Sequence, residues 1–152
     1  MNNNDVLRAI QHILNLSEAG IVDIFKLVDD DIPQATAQKL LENENMPGFL
    51  QCADAQLTRF LDGLISYRRG KNEKSPEYTP PPLTNNVKIK KIRIAFDLKE
   101  DDLVELLSLA DYDVSKSELS SVFRKPGHKH YRECSDDFLM AFITGLTFRT
   151  WK

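Results

Sequence analysis

What most limits the fold of this chain is a thirteen-residue stretch that occurs twice. Cys52–Leu64 reads C-x-D-x-x-L-x-x-F-x-x-G-L, and Cys134–Leu146 repeats that pattern 82 positions later. In the first copy Leu57, Phe60, Leu61 and Leu64 fall at i, i+3, i+4 and i+7; in the second, Leu139, Phe142, Ile143 and Leu146 do the same. That spacing places one apolar stripe along a helix. Asp54 and Asp136 precede each stripe, where a carboxylate is suited to cap the helix start. Gly63 and Gly145 lie beside the stripe. A glycine inside a helix costs about 1 kcal/mol relative to alanine, so its presence in both copies predicts a close approach of another helix.

The duplication extends well beyond the signature. Residues 3–70 align with 85–152 without a gap, and fifteen of those pairs are identical. They include Asn3/Asn85, Asn4/Asn86, Leu16/Leu98, Glu18/Glu100, Asp29/Asp111 and Asp31/Asp113. Apolar exchanges such as Leu14/Phe96 and Leu41/Phe123 keep the same periodicity. The expected architecture is all-α: two similar four-helix units, residues 3–70 and 85–152, joined by a linker over residues 71–84. Pro76, Pro80, Pro81 and Pro82 fall in or beside that linker and exclude a helix there.

Each half reads as four helices. Asn3-Asn4 and Asn85-Asn86 favour a cap on the first. The second is followed by a short acidic turn, Asp29-Asp30-Asp31 or Asp111-Tyr112-Asp113. In the second half Ser115-Lys116-Ser117-Glu118 has the form of a capping box for the third helix. Pro33 replaces that serine in the first half, so the equivalent helix is expected to start from Asp31.

Composition excludes several classes. A chain that is 41% hydrophobic and 28% charged has the profile of a water-soluble globular protein. No apolar run approaches the ~18 residues of a membrane span. Met1-Asn2-Asn3-Asn4-Asp5 lacks the basic start and apolar core of a secretory signal. With only two cysteines, both at repeat positions, the expected compartment is the reducing cytoplasm. The net charge of −3 is unevenly divided. Residues 3–70 carry ten acids and six bases; residues 85–152 carry eleven acids and twelve bases.

The paired signature helices, the Lys90–Phe96 segment and Tyr131-Arg132-Glu133-Cys134 together resemble the YehS-like family of uncharacterised bacterial proteins. The resemblance covers nearly the whole chain. It implies a domain of unknown function present twice, and it carries no catalytic residues to transfer.

Candidate chemistry stands beside simpler roles. Neither cysteine has a His or Asn at the fixed offset that a duplicated nucleophile site would show, so both read as small semi-buried residues. His128, His130 and Cys134 have metal-like spacing, but no fourth ligand is evident and no equivalent set occurs in the first half. Asp101-Asp102 and Asp136-Asp137 sit at helix starts, where the dipole favours acids. There is no Gly-rich phosphate loop or nucleophile elbow. The expected role is a non-enzymatic interaction module without metal or cofactor, its most favoured partner another protein. Its two units are expected to pack on each other or on a second chain, because a unit this small buries only about 60% of its unfolded surface. The alternative is a nucleic-acid binder using a helix-turn-helix-like pair in the second unit. There Lys116, Ser120 and Arg124 recur every four residues on the polar side of the third helix, followed by Lys125, Lys129 and Arg132. Asp111, Asp113 and the lack of a turn glycine count against that alternative.

Overall fold

The computed structural model describes residues 1–70 and 82–150. Most of the predicted linker lies outside those residues. Among the described residues the chain forms eight helices and no strand. They are α1 (Asn3–Leu14), α2 (Glu18–Lys26), α3 (Gln34–Leu41), α4 (Asp54–Arg69), α5 (Asn85–Ala95), α6 (Glu100–Leu109), α7 (Lys116–Val122) and α8 (Asp136–Thr150). Each helix of the second set begins 82 residues after its counterpart. The chain separates into two compact units, the second running from Pro82.

Local chemistry sets the helix ends, though not always at the expected residue. Asn2, rather than Asn3 or Asn4, caps α1: its side chain accepts from Asp5 N–H while the Asp5 carboxylate accepts from Asn2 N–H. Thr84 plays that part for α5, accepting from Val87 N–H at 3.2 Å. Pro33, not Asp31, precedes α3, and it offers no side-chain cap. Its fixed φ suits the residue that leads into a helix. Ser115 caps α7 as expected, accepting from Glu118 N–H at 3.1 Å.

The left-handed backbone positions are duplicated too. Asn15, Asp29, Asp97 and Asp111 all have φ between 52° and 59°. Each ends a helix, and the following residue's N–H reaches back five residues: Leu16 to Gln11, Asp30 to Phe25, Leu98 to Arg93, Tyr112 to Leu107. Asn and Asp tolerate this conformation better than other non-glycine residues. The Asp29/Asp111 identity is therefore a backbone requirement, and Asp111 replaces the turn glycine that the sequence lacks.

Within unit 1, α1, α2, α3 and α4 enclose Leu7, Ile10, Ile21, Ile24, Phe25 and Phe60. The Phe25 and Phe60 rings meet at 5.5 Å between centroids. Within unit 2 the principal packing is α6 on α8, burying Leu103, Leu106, Leu107, Leu139, Phe142 and Leu146. The signature glycines explain how the helices come so close. A Cβ on Gly63 would overlap the Ile24 carbonyl oxygen, with Ile24 Cγ2 at 3.0 Å. A Cβ on Gly145 would overlap the Leu106 carbonyl, with the Leu106 carbonyl carbon at 2.5 Å. Each glycine faces the backbone of the second helix of its own unit.

The other signature residues belong to a buried polar clamp. Asn4 Nδ2 donates to the carbonyls of Leu40 (2.8 Å) and Leu50 (2.9 Å), and its Oδ1 accepts from Cys52 N–H (2.9 Å). Asn86 does the same with Val122 and Arg132 (both 2.9 Å) and Cys134 N–H (2.8 Å). One amide thus ties the end of the third helix, the following loop and the approach to the fourth helix. Beside it, Asn3 and Asn85 each donate to the signature Cys carbonyl and to the signature Asp carboxylate, Asp54 or Asp136, at 2.8 Å. The two aspartates are therefore not caps. Ala53 is the N-cap of α4, and the Ser135 hydroxyl accepts from Phe138 N–H at the start of α8. Each aspartate instead anchors the first helix to the fourth.

Candidate anion-binding face

Position α7 and its C-terminal turn on unit 2, and the sequence-predicted cations separate into two groups. Leu119 and Val122 are buried and Phe123 is half-buried, so the opposite side of the helix faces outward. Lys116, Ser120 and Arg124 line one open cleft of about 370 Å³, with Ser117, Ser121 and His130. Among the described residues, no carboxylate lines it. Arg132 is held close by: its N–H donates to the Ser121 carbonyl at 3.1 Å, and the Asn86 clamp holds its own carbonyl. Lys125, Lys129 and Arg132 are exposed but line neither this cleft nor the one beside it. Among the described residues, the side chains of Lys116, Arg124, Lys125, Lys129 and Arg132 form no ion pair.

The loop that closes the cleft is locally ordered by its own histidines. His130 N–H donates to His128 Nδ1 at 3.0 Å, and the two rings lie 5.7 Å apart. Gly127, at φ 92°, supplies the left-handed turn just before them. Ser117 and Ser121 lie on the polar side that the sequence also gives to Lys116, Ser120 and Arg124; His130 is the part of this cleft that the helix pattern does not disclose. Asp111 and Asp113 line neither cleft.

A second cleft of about 280 Å³ shares Ser120 and Arg124 with the first. Arg93 from α5, Glu100 from the start of α6, Leu119 and Phe123 complete it. The Arg93 guanidinium lies 4.7 Å from the Phe123 ring centroid, and its Nε donates to the Leu98 carbonyl at 3.0 Å. These contacts hold the guanidinium against the ring. Sequence reasoning placed Phe123 on the buried side and did not single out Arg93 or Glu100. A signal was present in the repeat comparison, since Arg93, Phe123 and Arg124 stand where unit 1 has Gln11, Leu41 and Glu42. The counterparts of Lys116, Ser120 and His130 are Gln34, Gln38 and Gly48. Lys116 and Arg124 therefore have no cationic counterpart at the matching positions of unit 1.

The other candidate chemistry is accounted for structurally. Cys52 and Cys134 are both buried and are not joined in a disulfide. Burial, and then the Asp136 carboxylate, push the Cys134 thiol up to about 12, against a smaller opposing effect of Lys88. A thiol so placed stays protonated at neutral pH and is a poor nucleophile. Among the described residues, no three His, Cys, Asp or Glu side chains are grouped to hold a metal ion. Asp102 accepts from Lys99 N–H at 2.7 Å at the start of α6, and it pairs with Arg149 at 2.7 Å. Among the described residues, no helix is long and apolar enough to cross a membrane.

Two helical units of one design, with a cleft lined by Lys116, Arg124, His130 and three serines on the second, define a duplicated all-α protein whose repeats have diverged in surface. The chain belongs to the family described as protein of unknown function DUF1456, whose pattern matches it twice, over residues 3–70 and 85–150. It is 40% identical over 153 residues to the uncharacterised protein YehS of Escherichia coli K12, covering 98% of this chain and 96% of that protein. No solved structure matches the chain.

Proposed function

We propose that this chain is a non-enzymatic binding protein that holds the phosphate groups of a nucleic acid against the α7 face of unit 2. One observation carries the reading: Lys116, Arg124, His130 and three serine hydroxyls share a single open cleft with no carboxylate among them. Cations and small hydroxyls are the groups that contact phosphate oxygens. Among the described residues Lys116 and Arg124 form no ion pair, and the matching positions of unit 1 are Gln34 and Glu42. A binding role without catalysis is supported by the buried, protonated Cys134 and by the absence, among the described residues, of a hydrogen bond between His130 and any serine hydroxyl of the cleft. Two buried cysteines not joined in a disulfide suit a reducing compartment such as the cytoplasm.

The test is fluorescence anisotropy with single-stranded and duplex oligonucleotides at low and moderate salt. Three phosphate contacts give a log–log salt slope of about −2 to −3. The double variant Lys116→Gln/Arg124→Glu installs the unit 1 residues; it should abolish most of the affinity and flatten the slope. No saturable binding by the folded wild-type protein at high micromolar concentration removes this reading.

A second reading, a protein partner, is favoured by α8. Met140 and Phe148 lie two turns apart and are 50% and 54% exposed, whereas unit 1 has Thr58 and Ser66 at those positions. Oligomeric state and partner capture should both respond to Met140→Thr/Phe148→Ser if this row is a docking surface. A variant that behaves as wild type in both assays excludes it.

A further inference from the structure

The two clefts on either side of Ser120 and Arg124 differ in chemistry, and the difference bears on what kind of nucleic acid fits. The first is lined by cations and hydroxyls and suits a phosphate. The second has a hydrocarbon floor of Leu119 and Phe123, a guanidinium fixed on the Phe123 ring, and one carboxylate, Glu100. A phosphate would be repelled by Glu100 and gains nothing from Leu119 or Phe123. A flat, partly apolar group with an N–H edge matches all three. Aromatic rings and guanidinium planes are the surfaces on which unpaired bases stack. A carboxylate is a natural acceptor for the exocyclic amine of cytosine.

We infer that the Arg93–Phe123 cleft is a nucleobase pocket and that unit 2 takes single-stranded nucleic acid, one phosphate in the Lys116/Arg124 cleft and an adjacent amino-bearing base beside Phe123. The inference rests on the phosphate-binding reading above and specifies its ligand. A base inside a duplex is stacked on both faces and paired along its amino edge, so it cannot present that edge to Glu100. An unpaired strand can turn one base out while its phosphate backbone stays on α7. Arg124 lines both clefts, so it can contact the phosphate and border the base. The volume of the second cleft, about 280 Å³, falls just below the range of sites for drug-sized ligands, which starts at roughly 300 Å³, as suits a group no larger than one base.

Unit 1 provides the controls, because its fold tolerates other residues at the same places. Phe123→Leu and Arg93→Gln install the residues of unit 1, Leu41 and Gln11. Glu100→Gln keeps the shape and removes the charge. The experiment measures anisotropy of labelled oligo-dC, oligo-dT and a duplex of mixed sequence on the full-length chain, with helicity checked for each variant. Oligo-dC should bind about tenfold tighter than the duplex and detectably tighter than oligo-dT. Stacking of one base is worth about 1–3 kcal/mol, so losing the platform through Phe123→Leu or Arg93→Gln should weaken both single strands about tenfold and leave the duplex unchanged. Glu100→Gln should erase the preference for dC over dT while oligo-dT binding stays as it was. Duplex binding equal to single-strand binding, with no effect of these three variants, overturns the base pocket and leaves the phosphate face standing. Binding of no oligonucleotide overturns both.

Discussion

Replacing Gly145 with alanine is the sharpest test of how unit 2 is built, because two effects of opposite sign meet at one methyl group. Helix propensity alone favours alanine by about 1 kcal/mol, and an exposed glycine in α8 would therefore gain stability from the change. Here the added Cβ would overlap the Leu106 carbonyl oxygen and lie 2.5 Å from its carbon and 3.2 Å from Leu106 Cα. Ordinary contact begins at 3.4 Å, and the obstructing atoms are backbone, which no rotamer change can remove. Either α8 must back away from α6 or the α6 backbone must bend. Both loosen the seam that buries Leu103, Leu106, Leu139, Phe142 and Leu146. Overpacking costs about 1–3 kcal/mol; an overlap with backbone belongs at the upper end, about 3 kcal/mol, and less the propensity gain of about 1 kcal/mol the expected net loss is about 2 kcal/mol. A domain this small has only about 3–10 kcal/mol in total, and the loss is large on that scale. Gly63→Ala should behave alike in unit 1, where Ile24 presents its carbonyl and, at 3.0 Å, its Cγ2. Gly48 serves as the control: nothing lies within 4 Å of its notional Cβ, and Gly48→Ala should be neutral or slightly stabilising. The assay is urea unfolding followed by far-UV circular dichroism on the full chain. A Gly145→Ala protein as stable as wild type would show that the glycine is not the contact point between α6 and α8.

Two further predictions concern polar groups. Asn86→Leu removes three hydrogen bonds at once and strands Cys134 N–H and the Val122 and Arg132 carbonyls. Each stranded buried group costs about 1–3 kcal/mol, so unit 2 should lose at least about 3 kcal/mol, with amide exchange at Cys134 rising in step; unchanged protection there would refute the clamp. The Asp102 carboxyl is held below its ordinary value of 3.8, first by the Lys99 N–H and then by Arg149. A carboxylate depressed on folding adds stability that is present above its unfolded value and is lost as the pH falls through the folded one. The stability gap between wild type and Asp102→Asn should therefore be constant at neutral pH and close below about pH 4; a gap that persists into strong acid contradicts the assignment.

Some of this protein was legible from the residues alone. The 82-residue repeat and the 3.6-residue periodicity placed eight helices and the two units, because helix formation is local and a duplicated pattern reports itself twice. Gly63 and Gly145 were legible as contact points for the same reason: an unfavourable residue kept at one helical register in both copies needs a partner. The functions of Asn3, Asn4 and the signature aspartates were not. A cap and a long-range clamp call for the same residue types, and only the path of the chain decides that Asp54 meets Asn3 rather than its own helix. The cleft shows the same division. Lys116 and Ser120 share a face of α7 by local geometry, whereas Arg124 lies past the helix end at Val122 and joins them in the cleft through the turn that follows, not as a third step on the helix. His130 reaches that face through the α7–α8 loop, Arg93 comes from α5 and Glu100 from α6, and no local rule relates those positions. The sequence determined the helices, their register and which unit carries the cations. Only tertiary packing decided which cations share a cleft, what stands beside them, and that a carboxylate and an aromatic ring adjoin the cleft of Lys116 and Arg124.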